Sequence, residues 1–438
     1  MSAVAEQRQD RSAPEAEFAI LFASVRADLP GPAWIQSLRA EALAAFMRNG
    51  LPHKRLERWK YTDFRSHFGG GLGVAQGSTA DAPVDMFDGL KAHRVLIDAG
   101  KVRRAPAPDE LPDGVEILSL ADALESPALW LKPWLRADRS ALESLNLAFM
   151  TDGVCVRVGA NVRVSLPILL HHHLSEGGVM AHTRSIIMME EGAELTLIEV
   201  DDGSPQTQSF TNSVLAVSLG AGAKLHHLRL GAVQAPGLIV RSDQAEVGRN
   251  ALYERLTFAS GAALARSDMQ VLLADPGASF DLAGAYAATG DELSDITFTV
   301  MHDAPHTRSR MLVKGVAGGA AHGVVQGSVI VRPNAQKVDS HQLARGVLLS
   351  AKAEIDQKPE LEIFADDVKC GHGAAIGALD PEQLFYLRAR GIPESEARAM
   401  LIRAFIGEVV DRLGPGDWQS RVSAWLDKRL DIVTAEGA

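Results

Sequence analysis

The sequence predicts a mainly β protein, with a repetitive β core set between a helical and mixed N-terminal region and a helical C-terminal region. Three observations predict it. From about residue 151 to 365, short β-type runs follow one another with little helix. Through that stretch a Gly-Ala-x-apolar signature recurs, as GANV at 159, GAEL at 192, GAKL at 222 and GASF at 277. On either side of it, apolar residues return at helical rather than alternating spacing.

Size and composition bound the reading. The chain of 438 residues exceeds the roughly 250–300 at which single cores stop growing. The texture divides it into 1–150, 151–370 and 371–438. A net charge of -11 argues against nucleic acid as the main partner, because phosphate contacts need a basic surface. The opening MSAVAEQRQDRSAPEAE has no apolar signal core, and no apolar run approaches the length of about 18 residues that a membrane span needs. Two cysteines cannot build a disulfide framework. A cytoplasmic protein is expected.

Residues 1–15 read as a tail. Phe18, Leu21, Phe22 and Val25 then recur at helical spacing, and WIQSLRAEALAAFMRNG continues the pattern to its stop at Gly50. RWKYTDF (58–64) concentrates aromatic residues and is expected to pack Trp59 and Tyr61 on a small core. The glycines of HFGGGLGVAQGS follow no convincing strand, so they read as a loop rather than a dinucleotide site. RVLID reads as a short strand, LADAL and ALESLNLAFM as helices.

In the core, each recurring glycine can take the positive φ that a corner requires. In GAELTL, Ala193, Leu195 and Leu197 share one face while Glu194 and Thr196 share the other. The first two gaps are 33 and 30 residues and the third is 55, close to two shorter turns. Such a pattern fits a solenoid in which each coil covers its neighbour. It also fits a sandwich or jelly roll, and the pattern alone leaves both open. The β texture ends at PELEIFADDVKC, with Leu361 and Ile363 on an inward face, and leads into a glycine-rich loop, KCGHGAAIG. A helix then starts with Asp380 as N-cap, Pro381 in its first turn and Gln383 closing a capping box, and Gly391 ends it. In the next helix Ala397, Met400, Leu401, Ala404 and Phe405 form one apolar stripe, and Ile402, Ile406 and Val409 form another. The tail is helical as well.

The candidate chemistry is sparse. Cys370 and His372 pair a thiol with an imidazole, the ligands of iron and zinc. A closed site needs about four ligands, and no second pair lies nearby in the sequence. His171 and His173 share a strand face, where a solvated face is expected ahead of metal binding. His226 and His227 point to opposite faces. His302 and His306 flank Pro305 and read as a loop. The adjacent Asp366 and Asp367 cannot flank one glycosidic bond. GHGAAIG has the wrong spacing for a nucleotide loop, and its glycines stop short of the helix at Asp380. No G-x-x-x-x-G-K-[ST] occurs, so no P-loop ATPase activity is expected.

HDAPHTRSRMLVKGV (302–316), VQGSVIVRPNAQKVDSHQ (325–342), LLSAKAEIDQKPELEIFADDVKCGHGAAIGALDPEQLFYLRARGI (348–392) and RWKYTD near the N-terminus resemble the SufB/SufD family of iron–sulfur cluster assembly proteins. The aromatic motif and the KCGHGAAIG stretch resemble its SufD side more than its SufB side. HQLARGVLLS (341–350) departs from the family, where an asparagine-rich stretch is expected. The resemblance implies a right-handed parallel β-helix core, in a complex with SufB and the ATPase SufC. SufC supplies the ATP chemistry, and SufB receives sulfur as the main scaffold. The SufD member pairs with SufB through the last β-helix strands and is associated with iron acquisition. Cys370 and His372 then make sense as a half-site. His372 faces a SufB cysteine across iron or a nascent cluster held transiently, with Cys370 beside it. The C-terminal helices are expected to dock SufC, with Met400, Leu401 and Phe405 as candidate contacts. Removing residues from 380 onward is expected to spare the β core. In isolation the chain is a candidate homodimer. Two other classes compete. A β-helix carbohydrate-active enzyme, such as a polysaccharide lyase, needs acidic and basic residues converging midway along the solenoid. An independent metal-binding protein would use the histidine-rich strands.

Overall fold

The corners set the architecture. Gly192, Gly222 and Gly277 take φ of 66°, 68° and 78°. The long gap between the last two holds a corner made by Asn250 at φ 53°, and the series continues through His306 at 59° and Lys337 at 62°. Asn161, at φ 60°, rather than Gly159, makes the first. Non-glycine residues reach this region at a modest cost, asparagine most readily. Glycine alone therefore does not mark the repeat.

A computed structural model describes residues 13–436, apart from 78–85, 126–128, 137–139, 175, 204–206, 232–235 and 413–415; most of the expected N-terminal tail lies outside these. The chain alternates between two ten-stranded sheets. Between Ile168–His173 and Lys369–Gly377, every strand pairs in parallel with the strand two places on in the chain. This is a β-solenoid of about seven turns, not a sandwich of antiparallel sheets. The expected strand at RVLID is His93–Asp98, which joins the second sheet ahead of residue 151. At the other end, KCGHGAAIG is not a loop. It forms the strand Lys369–Gly377, which carries the β region beyond residue 370.

Alternation divides the side chains between an interior and two outer faces. Leu195 and Leu197 point inward and are fully buried, with Leu225, Leu215 and Val217 in the same cluster. Leu195→Ala should lower stability by about 2–5 kcal/mol, the cost of a large-to-small core change. Urea unfolding measures it, and a loss below 1 kcal/mol would mean that the coil closes over the gap.

The N-terminal region covers the outer face of the first sheet. Phe18, Phe22 and Phe46 from the helices Ala13–Val25 and Ala33–Asn49 pack with Phe149 against Met180, Ile186 and Phe210 of the sheet. Trp59 is buried there as expected, and Tyr61 only in part. The RWKYTD motif does more than fill space. Arg58 is ion-paired to Asp268 and donates to Thr299, and Thr62 donates to Asp295. Arg266, wholly buried, pairs with Asp268 and Asp295 and lies 4.0 Å from the Trp59 ring centroid. The motif is thus clamped across neighbouring coils by hydrogen-bonded charges.

Two buried histidines make the fold acid-sensitive. His182 sits between Phe149 and Phe210, and burial pushes its pKa down to about 3. Burial also pushes His302 down to about 4. Both are neutral in the folded chain, whereas in the unfolded chain they gain protons below their usual value near 6.5. Each therefore stabilises least at low pH. Stability should fall by about 1.4 kcal/mol per pH unit for each histidine as pH drops below about 6.5, until its folded pKa is reached. Urea midpoints across this range should show the slope, and His182→Phe should flatten it. An unchanged slope in that variant would contradict the assignment.

The C-terminal helices cover the outer face of the second sheet. Ile402, Ile406, Val409 and Val410 of Glu394–Val410, with Val422, Leu426 and Leu430 of Gln419–Glu436, pack on Ile198, Leu228, Leu230, Leu256 and Phe258. Among the described residues no helix is long and apolar enough to cross a membrane.

Candidate functional site

The register leads straight to the C-x-H pair. Leu195, Leu225, Tyr253, Phe280, Ser309, Ser340 and Cys370 are successive partners along the second sheet. Two residues on, Leu197, His227, Arg255, Leu282, Met311, Gln342 and His372 form a parallel column. Both columns point into the solenoid. Cys370 and His372 are their last members, on the terminal rung, where among the described residues no further coil covers them. Cys370 is half-buried against the interior cluster, while His372 is exposed. Gly371 and Gly373, on either side of His372, face His341 and Leu343 on the outer side. The alternation Cys-Gly-His-Gly-Ala was the available sign of a strand, outweighed by the glycine content.

The first column turns polar as it approaches this end. Ser309 Oγ lies 2.7 Å from Ser340 Oγ and 3.0 Å from His302 Nε2, and His302 Nδ1 lies 2.7 Å from Thr307 Oγ1. His302 thus closes a strand with its ring buried, rather than sitting in a loop. Burial pushes the Cys370 thiol up, and a hydrogen bond from the Ser340 backbone N–H offsets only part of that. The thiol is protonated at neutral pH, so metal ligation there must release a proton.

The end of the solenoid is an open edge. Leu361 and Ile363 continue the inward positions of Val329 and Val331, but only Leu361 is partly covered. Ile363 is 41% exposed, and Phe364 and Ile376 are exposed beside it. Direction was legible there and burial was not, because burial needs a further coil. Lys358 ties this edge back to Glu57, next to the RWKYTD motif.

The two apolar stripes of Glu394–Val410 part company. Ile402, Ile406 and Val409 are buried on the sheet, while Met400 is 41% exposed and Leu401 half-covered. Phe405 lies between these extremes. Lys314 Nζ stands 4.5 Å from its ring centroid and donates to its carbonyl at 2.8 Å. The preceding helix, Pro381–Arg388, buries no residue, and its Phe385 is 73% exposed. Asp380 caps that helix as expected, accepting from the Glu382 and Gln383 backbones.

His171 is not on a solvated face but buried, and His173 on the same face is partly buried; His172 is buried as well. His172 points inward to a charge network that sequence reasoning missed. Glu199 accepts from Arg229 at 3.0 Å and lies 3.0 Å from His172 and 2.8 Å from His227. Asp201 pairs with Arg229 and Arg241, and Asp243 with Arg255. Burial alone would raise the Glu199 carboxyl, but Arg229 and the histidines hold it well below the carboxylate range. Opposed charges balance in this interior, as burial demands. His226 faces out to Glu254, opposite His227, as the alternation required.

A cleft of about 590 Å³ lies between the second sheet and the C-terminal region, lined by Glu254, Asp281, Arg308, Arg310, Arg412 and Trp418 among others. It brings acidic and basic residues together midway along the solenoid, but they pair across coils, Arg308 with Asp281 and Arg310 with Asp339.

The described residues form a parallel solenoid with helices over both outer sheet faces and a thiol and an imidazole on its last strand. The chain belongs to the SufB/SufD family of the SUF iron–sulfur cluster assembly system. Residues 172–405 match the SufBD core domain and residues 13–170 the SufBD N-terminal region. The iron–sulfur cluster assembly protein SufD of Escherichia coli is 28% identical over 397 residues, covering 89% of this chain and 91% of its own. SufD of Bacillus subtilis is 27% identical over 410 residues, covering 87% and 91%. A SufBD family protein of Synechocystis is 29% identical over 389 residues, covering 85% and 86%. Within the family the chain stands with SufD.

Proposed function

We propose that this chain is the non-ATPase SufD component of a cytoplasmic SufB–SufC–SufD scaffold. It pairs with SufB through the open rung and offers His372, with Cys370 beside it, to iron or a nascent iron–sulfur cluster shared between the chains. The C-terminal helices dock SufC through Met400, Leu401 and Phe405, and ATP is turned over by SufC alone. The chain serves assembly and iron acquisition rather than catalysis. The observation that carries this reading is the position of Cys370 and His372. They are the last inward residues of two columns, at an edge whose apolar residues stay exposed. A half-site needs that placement, because the next coil must come from another chain. A homodimer of the isolated protein would use the same edge.

Co-expression of the tagged chain with its genomic neighbours tests the assembly. A SufB homologue and an ATPase should co-purify in a stable complex. Recovery of the chain alone, with both neighbours soluble in the same lysate, would overturn it.

A further inference from the structure

We propose that His171, His173 and Asp202 form a metal site separate from the terminal rung, which takes a divalent first-row transition ion such as zinc or ferrous iron. The strands Ile168–His173 and Glu194–Asp202 pair in parallel, with His171 opposite Val200 and His173 opposite Asp202. Ile168 and Leu170 lie in the interior cluster and Leu169 in the outer one. By alternation His171 and His173 share the outer face. Asp202 follows Ile198 and Val200 onto that face. His172, between the two rings, is anchored inside by Glu199. That anchor holds the strand so that the flanking rings stay on one side.

The geometry converges. His171 Nε2 lies 2.8 Å from Asp202 Oδ2, and His173 Nδ1 lies 2.6 Å from Asp202 Oδ1. One ligand atom from each residue falls within 4.8 Å of the others. The rings stand nearly edge to face, with centroids 6.0 Å apart. Two imidazoles and one carboxylate are a donor set for zinc or ferrous iron. The side chains of His173 and Asp202 keep 17% and 21% of their surface, which leaves an entry path. Asp98 sits opposite His173 on the adjacent strand, on the same outer face, as a further carboxylate. The competing account is a plain ion pair in which one carboxylate bridges two imidazoles. Metal binding requires those ring nitrogens unprotonated, so the two accounts part on whether an ion binds.

The test uses the full chain, stripped with a chelator and titrated anaerobically with Co(II) and then Zn(II), read by visible absorption and calorimetry. One tight equivalent is expected that survives in a Cys370→Ala/His372→Ala double variant. It should also survive His322→Ala, which disables the other clustered group, His322, Glu354 and Asp356. His171→Ala and Asp202→Asn should each weaken that equivalent by about 10-fold or more, at least the loss seen for supporting residues of metal sites. Zn(II) should raise the unfolding midpoint of the wild-type chain but not of Asp202→Asn. His173→Gln, folded by circular dichroism, provides the same comparison if His171→Ala does not fold. Absence of binding to the wild-type chain overturns the proposal. So does binding that survives Asp202→Asn and His173→Gln, or binding lost only with His372.

Discussion

His372→Ala should leave the chain folded and the three-protein complex assembled, yet lower cluster formation by on the order of 10-fold or more, at least the loss seen for residues that support a metal ligand. The folding half of this expectation follows from burial. His372 is exposed on the terminal rung and anchors nothing in the interior, so its removal is a surface change worth within about 0.5 kcal/mol. The chemical half follows from the column it ends. An imidazole on the last inward position meets whatever coil stacks on the open edge, and a thiolate there would complete an iron-binding pair. Cys370→Ala should be milder. Its thiol is half-buried and held in the protonated form by burial, so it is the poorer ligand. Cluster absorbance normalised to SufB, with complementation of cluster-dependent growth, measures both variants. Full cluster yield with His372→Ala would refute the half-site. Loss of the complex in both variants would make the rung a structural element only.

The repeat and the site were legible to different degrees, for physical reasons. Leu195 and Leu197 revealed their face because alternation survives wherever one face is core. The spacing was irregular to the eye because Asn250, His306 and Lys337 occupy the left-handed corner elsewhere filled by glycine. His171 departs from the solvated reading because the strand that carries it is covered on both faces, and a doubly covered parallel strand loses the polar alternation that marks a solvated side. The terminal strand was misread for the opposite reason. With no coil beyond it, it carries glycines and exposed side chains and looks like a loop. The pairings within Glu199, Asp201, Arg229, Arg241 and Arg255 were beyond reach, since they depend on which coils stack and in what register.

Deleting the chain from residue 380 should abolish the soluble, folded solenoid, contrary to what its sequence suggests. The helices beyond that point are the outer cover of the second sheet. Their removal uncovers Ile198, Leu228, Leu230, Leu256, Phe258 and Leu312, all nearly wholly buried. Exposing each large apolar side chain costs about 1.5–3 kcal/mol. Six together reach or exceed the roughly 5–15 kcal/mol by which a typical domain is stable. The truncated chain should therefore aggregate or fail to show a cooperative transition, and its failure to capture SufC would say nothing about docking. Point changes on the uncovered stripe separate the two effects. Met400→Glu, at an exposed position, should keep the unfolding midpoint within a few degrees while reducing SufC capture in a pull-down. Phe405 is the poorer probe, because Lys314 holds it against the sheet, and its loss would confound stability with contact. A truncated chain that stays monomeric and unfolds cooperatively would show that the helices are an appendage. Undiminished SufC capture by a folded Met400→Glu variant, further combined with Leu401→Glu, would remove this face from the docking surface.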